Sequence, residues 1–353
     1  MATNEQQASN DWGRADIINL LAPHLPDDLK PQALYIARKL SDPGARASAL
    51  SSLSVVITEA DALNIKEDAL ATAQSIENQW LKVRALAEVA NAFPNDRKGD
   101  VLAEALACVK LIVGEWHRKR ALILLANYLP DEQANQAIRM AYQFQNDQAR
   151  IQTLSRFAHR LSEQERISLL KDVRLIEDEA FRASVLVSLM KYLPLESKSD
   201  LLNYAKGLGE AEHRGQVFAA LAQYFPDHQV EFQEEALKMA RSITEPYRRF
   251  WALFNIFPSL PDTIRGEVVE EAFDTIKMVE DEQWRAYDLY NLALLLPEEQ
   301  RPAIMKEALE TARQVEDTNR RVMALLTLME ALPDDARHDI IHESMIAIAE
   351  GVG

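Results

Sequence analysis

The stretches Ala236 to Pro261, ALKMARSITEPYRRFWALFNIFPSLP, and Ala272 to Pro297, AFDTIKMVEDEQWRAYDLYNLALLLP, share one grammar. A small residue is followed thirteen positions later by an arginine, and twelve positions after that by a proline. Working outward in both directions, the pattern recurs nine times. The first anchor is Ala33, Ala69, Ala105, Ala137, Leu169, Leu201, Ala236, Ala272 and Ala308; the second is Arg46, Lys82, Arg118, Arg150, Arg182, Arg214, Arg249, Arg285 and Arg321. The third is Pro94, Pro130, Pro194, Pro226, Pro261, Pro297 and Pro333, with Thr58 and Ser162 in the two units that lack the proline. Arg14 and Pro26 supply half a unit before the first, and Ile340 to Ala349 supplies the opposite half after the last.

A helix is predicted between the second and third anchors. Counted from the basic residue, position +4 reads Ile18, Leu50, Leu86, Leu122, Leu154, Leu186, Phe218, Leu253, Leu289 and Leu325, and positions +7 and +11 are equally apolar. With +8 mostly alanine, as at Ala90, Ala126 and Ala222, these spacings draw one stripe on one helical face, and the small residue admits a close neighbour. The proline is expected to stop this helix. A second helical pattern surrounds the first anchor, and Asp or Glu just after the proline, as in Pro130-Asp131-Glu132, Pro297-Glu298-Glu299 and Pro333-Asp334-Asp335, suits its start. Asp147, Glu179, Glu282 and Glu115, three residues before the basic anchor, are expected to cap the other helix.

Steps between first anchors run 36, 36, 32, 32, 32, 35, 36 and 36 residues, and the variation falls between the proline and the next small residue. Four residues are about one helical turn, so the first helices around Ala137, Leu169 and Leu201 are predicted to be a turn shorter. With 48% hydrophobic residues and only 10 Gly in 353, the expected fold is all-α. No linker breaks the register, so 11–351 reads as one domain and the polar 1–10 as a disordered tail.

A net charge of −16, from 39 basic and 55 acidic residues, disfavours nucleic acid and anionic membranes as partners. The single cysteine, Cys108, excludes an intrachain disulfide and reads as a buried thiol. No apolar run is long enough for a membrane span, and the start lacks a signal peptide's basic and apolar regions, so the expected location is the cytoplasm. No phosphate-binding glycine loop, paired-cysteine or His-Glu-x-x-His metal motif, or serine elbow is present. His338 and His342 have a metal-like spacing, with Glu343 beside them, but lack further ligands; no metal, cofactor or catalytic residue is assigned.

The basic anchor recurs in every unit, so it reads as a structural ladder: a guanidinium over a ring such as Trp116, Phe181 or Trp284, paired with a carboxylate. Function is expected where units differ. Positions +2, +6 and +9 fall off the stripe and carry Arg84, Arg120, Arg156, His159 and Lys191 in early and middle units, then Gln216, Gln223, Trp251, Asn255, Tyr287 and Asn291. On a concave surface these would form a ridge, basic in the middle and aromatic-amide later, suited to a peptide, helix or protein partner. Tyr128, Tyr192 and Tyr224 at +10 form a second, weaker stripe.

The two quoted units resemble the two-helix repeats of the HEAT-like and tetratricopeptide-like superfamily. They are most similar to bacterial arrays of A-L-x-x-A…R-A-x-A-L…L-P units, found alone or attached to signalling and defence ATPases and proteases. The resemblance implies a right-handed α-solenoid of nine two-helix repeats plus a half repeat at each end, about 20 helices, acting as a non-catalytic protein-binding scaffold or sensor. The Trp, Leu-Gly and Tyr pattern of tetratricopeptide first helices is absent, so their carboxylate clamp does not carry over. HEAT-like solenoids also include DNA glycosylases and bilin lyases. The corresponding alternative is an enzyme or nucleic-acid binder in which Trp251, Tyr287 and Asp288 converge. The complementary half units at the two ends further suggest head-to-tail association between molecules.

Overall fold

A computed structural model describes residues 2–57, 59–332 and 334–349. Thr58, Pro333, Met1 and 350–353 lie outside the described residues, as do the Asp334 and Asp335 side chains. Among the described residues the chain forms twenty α-helices and no strands. The helices alternate between the two types. The type that carries the basic anchor comprises α1 (Ala2–Leu21), α3 (Pro43–Val56), α5 (Gln79–Ala90), α7 (Glu115–Leu125), α9 (Asp147–Arg156), α11 (Glu179–Met190), α13 (Ala211–Tyr224), α15 (Pro246–Ile256), α17 (Glu282–Leu295) and α19 (Thr318–Leu328). The type that carries the small anchor comprises α2 (Lys30–Lys39), α4 (Glu59–Gln74), α6 (Asn95–Leu111), α8 (Asp131–Tyr142), α10 (Glu163–Asp172), α12 (Lys198–Lys206), α14 (Gln229–Ser242), α16 (Asp262–Ile276), α18 (Arg301–Arg313) and α20 (Asp334–Ala349). α8, α10 and α12 have 12, 10 and 9 residues, against 17 in α6 and 15 in α16. α1 starts at Ala2, inside the polar stretch expected to be a tail.

The apolar columns form the core. Every +4 and +7 residue of the anchor-bearing helices is buried, from Ile18 and Leu21 to Leu325 and Leu328, and so is every small anchor from Ala33 to Ala308. Removing one such leucine side chain costs about 2–5 kcal/mol, because both the transfer energy and a cavity are involved.

Two local expectations need correction. The side chains that cap the anchor-bearing helices stand four residues before the basic anchor. Asp42, Asn78, Asn146, Asp178, Asp281 and Asp317 each accept a backbone N–H three residues on, at 2.8 to 3.1 Å. Only this position has the extended backbone an N-cap needs; the residue after it is already helical. Glu179, at the next position, reaches across to the following repeat and accepts the amides of Gly209 and Glu210, which hold its carboxyl below the usual range. Asp11 does the same for Ser41 and Asp42, at 2.7 and 2.9 Å.

The proline does not end the anchor-bearing helix. α5 ends at Ala90 and α15 at Ile256, several residues earlier, while Pro94 and Pro261 are the N-caps of α6 and α16. A residue that lacks an N–H loses nothing there, where the amides are free in any case. Ser162, in a unit without the proline, caps α10 through a capping box with Glu165.

The chain divides into two compact units, 1–137 with 309–353, and 138–308. In the first unit α1 packs against α2 and α3 and also against α19 and α20, and Arg321 Nε meets Glu343 Oε1 at 2.9 Å. The complementary faces of the two terminal half units therefore cover each other within one chain. The expectation of open ends for head-to-tail stacking assumed faces that the fold does not leave free.

Candidate functional site

The recurrent basic residue has a structural task, different in detail from the ring-and-carboxylate ladder expected. The guanidinium of Arg46, Arg150, Arg182, Arg214, Arg285 or Arg321 donates to the carbonyl six residues earlier: Leu40, Phe144, Ile176, Leu208, Val279 and Val315, at 3.2, 3.3, 3.0, 2.9, 2.6 and 3.1 Å. That carbonyl lies just past the preceding helix, where acceptors are unpaired and the helix dipole is negative. Constant residues thus join the two helices of each repeat, and the variable positions remain for recognition.

The ten candidate residues separate into distinct settings. Arg84 lies 3.9 Å from the Trp12 ring centroid and pairs with Glu88 at 3.2 Å, and Arg120 lies 4.9 Å from the Trp80 ring. Both are engaged by their own unit. His159 packs on Tyr192 at 6.3 Å, and Lys191 reaches the same tyrosine ring. Asn291 donates to the Tyr287 carbonyl one turn back, at 2.8 Å. The remaining five form two sites in the 138–308 unit.

Arg156, Gln223 and Asn255 line a groove of ≈ 480 Å³ across α9, α11, α13 and α15. Ser184, Ser188 and Gln216 add polar groups, and Val187, Ala219 and Ala220 supply the apolar part of the lining. The +2, +6 and +9 columns do meet here. The serines were missed because a small hydroxyl on a helix carries no signal by itself; their place in the +2 and +6 columns was the available clue.

Trp251 and Tyr287 belong to a second constellation with Tyr247 and Trp284. Ring centroids are 6.4 Å apart for Tyr247 and Trp251, 6.0 Å for Trp251 and Tyr287, 6.4 Å for Tyr287 and Trp284, and 5.9 Å for Trp284 and Tyr247. Three of the four contacts are edge-to-face, the favoured geometry for ring quadrupoles. The frame draws two rings from α15 and two from α17. Trp284 is about half exposed and Tyr287 is partly exposed.

Beside the frame lies Asp288, 0% exposed, with no hydrogen-bond partner for either carboxylate oxygen. The same column, +3, holds Ile17, Ala49, Ala85, Ala121, Thr153, Val185, Val217, Ala252 and Ala324 in the other units. Burial pushes the Asp288 carboxyl up to about 8, the Glu245 charge adds to the shift, and the Trp251 indole opposes it. Trp251 Nε1 is itself buried without a partner at hydrogen-bond distance. The Tyr247 hydroxyl is also raised, first by burial and then by the Asp288 charge.

Other groups examined for chemistry are occupied otherwise. His338 and His342 pack ring against ring at 4.6 Å, while Glu343 pairs with Arg321. Among the described residues no three His, Cys, Asp or Glu side chains converge as a metal site requires. Cys108 is buried, and burial raises its thiol. No described helix is long and apolar enough to cross a membrane. No protein-family model and no curated protein matches the chain.

Proposed function

We propose that the chain is a right-handed α-solenoid and a non-catalytic binding scaffold or sensor, which takes an extended peptide segment of a protein partner along the α9–α15 groove. The groove itself carries the reading. Gln216, Gln223 and Asn255 offer both donors and acceptors to a peptide backbone, and Arg156 offers a charge that suits an acidic side chain or carboxylate. Neighbouring helices stand about 8–10 Å apart and an extended chain rises about 3.3 Å per residue, so each repeat addresses roughly three peptide residues. The resemblance to bacterial repeat arrays adds the setting, a cytoplasmic signalling or defence assembly.

The test is selection from a random peptide library followed by calorimetric titration. Gln223→Ala with Asn255→Ala should weaken the selected peptide at least tenfold while helicity is retained. Unchanged affinity in that double variant contradicts the reading.

One observation favours the alternative, a HEAT-like enzyme acting on DNA or a tetrapyrrole: Asp288 is buried beside Trp251 and Tyr287. Two facts oppose it. A carboxyl held near pKa 8 is mostly protonated at neutral pH and is a poor base or counter-charge until something ionises it, and a net charge of −16 repels phosphates. Duplex retention at low salt, abolished by Trp251→Ala, would favour the enzyme instead.

A further inference from the structure

We propose that Tyr247, Trp251, Trp284 and Tyr287 form a receptor for a methylated ammonium group, with the Asp288 carboxylate as its counter-charge. The proposal is independent of the peptide groove, since none of these five residues lines it.

The geometry comes first. Four rings linked in a closed circuit at 5.9 to 6.4 Å place a cation held over the middle at roughly 4–5 Å from the ring centroids, inside the ≈ 6 Å reach of a cation–π contact. A methylated ammonium suits such a frame better than a bare one, because its methyl groups lose little hydration and make dispersion contacts with the rings.

The register supplies a comparison inside the same chain. Trp80 stands two residues before its basic anchor and Arg120 two residues after the next; these are the slots of Tyr247 and Tyr287. In the first unit the chain places its own guanidinium over the ring. In the frame both slots are aromatic, and among the described residues no lysine or arginine head group sits over any of the four rings. The cation is left for a ligand to bring.

Asp288 supplies the charge. A buried carboxyl with two unpartnered oxygens, in a column that is otherwise apolar or threonine, costs stability and calls for a compensating partner. Without a ligand it keeps its proton over most of the neutral range. A cation seated over the frame favours the ionised form, and the proton leaves to solvent.

The shared chemistry can come from a free solute such as choline or from a trimethyl-lysine side chain on a peptide. Choline and tetramethylammonium titrated into the full chain should quench tryptophan fluorescence saturably. Sodium chloride at equal ionic strength should not, and 3,3-dimethylbutan-1-ol, the uncharged shape-mate of choline, should bind at least tenfold more weakly. Trp284→Leu, at a half-exposed site, and Asp288→Asn, which keeps the shape, should each reduce choline affinity about tenfold with an unchanged circular dichroism spectrum. A trimethyl-lysine peptide compared with its unmodified lysine form identifies the source: tighter binding of the methylated peptide than of choline assigns the side chain, and the reverse assigns the solute. Equal binding of choline and the neutral alcohol, absence of binding by both choline and the methylated peptide, or full retention of affinity in both variants would overturn the proposal.

Discussion

The Arg84 guanidinium lies 3.9 Å from the ring centroid of Trp12, joining α5 to α1. The same indole walls Gly44 so closely that a Cβ there would stand 2.8 Å from Trp12 Cζ2. Trp12 therefore bridges three successive anchor-bearing helices, α1, α3 and α5. Arg84→Gln should cost about 0.5–2 kcal/mol in urea unfolding, the range of a partly desolvated cation–π contact. Gly44→Ala should also destabilise, through displacement of the ring. Neutral behaviour of both would mean the stack is incidental.

The carbonyl caps give a second expectation. Arg214→Met keeps the apolar stem but leaves the Leu208 carbonyl without its charged donor, and about 1–3 kcal/mol should be lost. Arg214→Lys should recover only part, because one ammonium cannot reproduce the two guanidinium bonds to that oxygen. Chemical denaturation of the two variants distinguishes a directional bond from simple charge.

Asp288 makes stability depend on pH with a definite sign. Its folded-state pKa of about 8 lies above the ordinary 3.8, so between those values the folded chain holds a proton that the unfolded chain has released. Stability from this group falls as pH rises through the window and levels off above it. The charged and titratable neighbours from α15 and its N-cap are Tyr247 and Glu245, and the Glu245 charge works in the same direction. Asp288→Asn should therefore stabilise the ligand-free chain, by an increment that grows from pH 5 to pH 8 and then stays constant. Choline affinity of the wild type should rise over the upper part of that range, while that of the variant stays flat. Melting temperatures and titrations at stepped pH read both effects.

Much of the fold was legible because helix period leaves a local trace. Leu50 and Leu53, or Leu289 and Leu292, are four and seven residues from a basic anchor, and that spacing alone places them on one buried face. The shorter middle helices were legible from spacing too. The roles of Asp178 and Glu179 were not, since adjacent carboxylates look alike until the backbone distinguishes the extended N-cap from the first helical residue. The packing of α1 on α19 and α20 was invisible for another reason: a contact across the length of the sequence leaves no local pattern. Asp288 was legible only by comparing the +3 column across units, which exposes one acid among small or apolar residues. The groove required the structure, because it depends on which columns of successive helices meet.

The pairing of the end helices predicts core behaviour for α20. Ile348 is fully buried, and Ile348→Ala should cost about 2–4 kcal/mol, as at any interior position. An α20 that packed on nothing would tolerate the change. Sedimentation across concentration should show no head-to-tail growth in the wild type, since α1 and α20 already cover each other.

The central claim is that the variable face of α9, α11, α13 and α15 is where a partner binds, and site-specific labelling tests it most directly. The only native thiol, Cys108, is buried, so a cysteine placed at Gln223 can be labelled selectively with an environment-sensitive fluorophore. Titration with a library-selected peptide should give a saturable shift at Gln223→Cys and none at Glu270→Cys, an exposed control on α16. A shift at Glu270→Cys with none at Gln223→Cys would contradict the account.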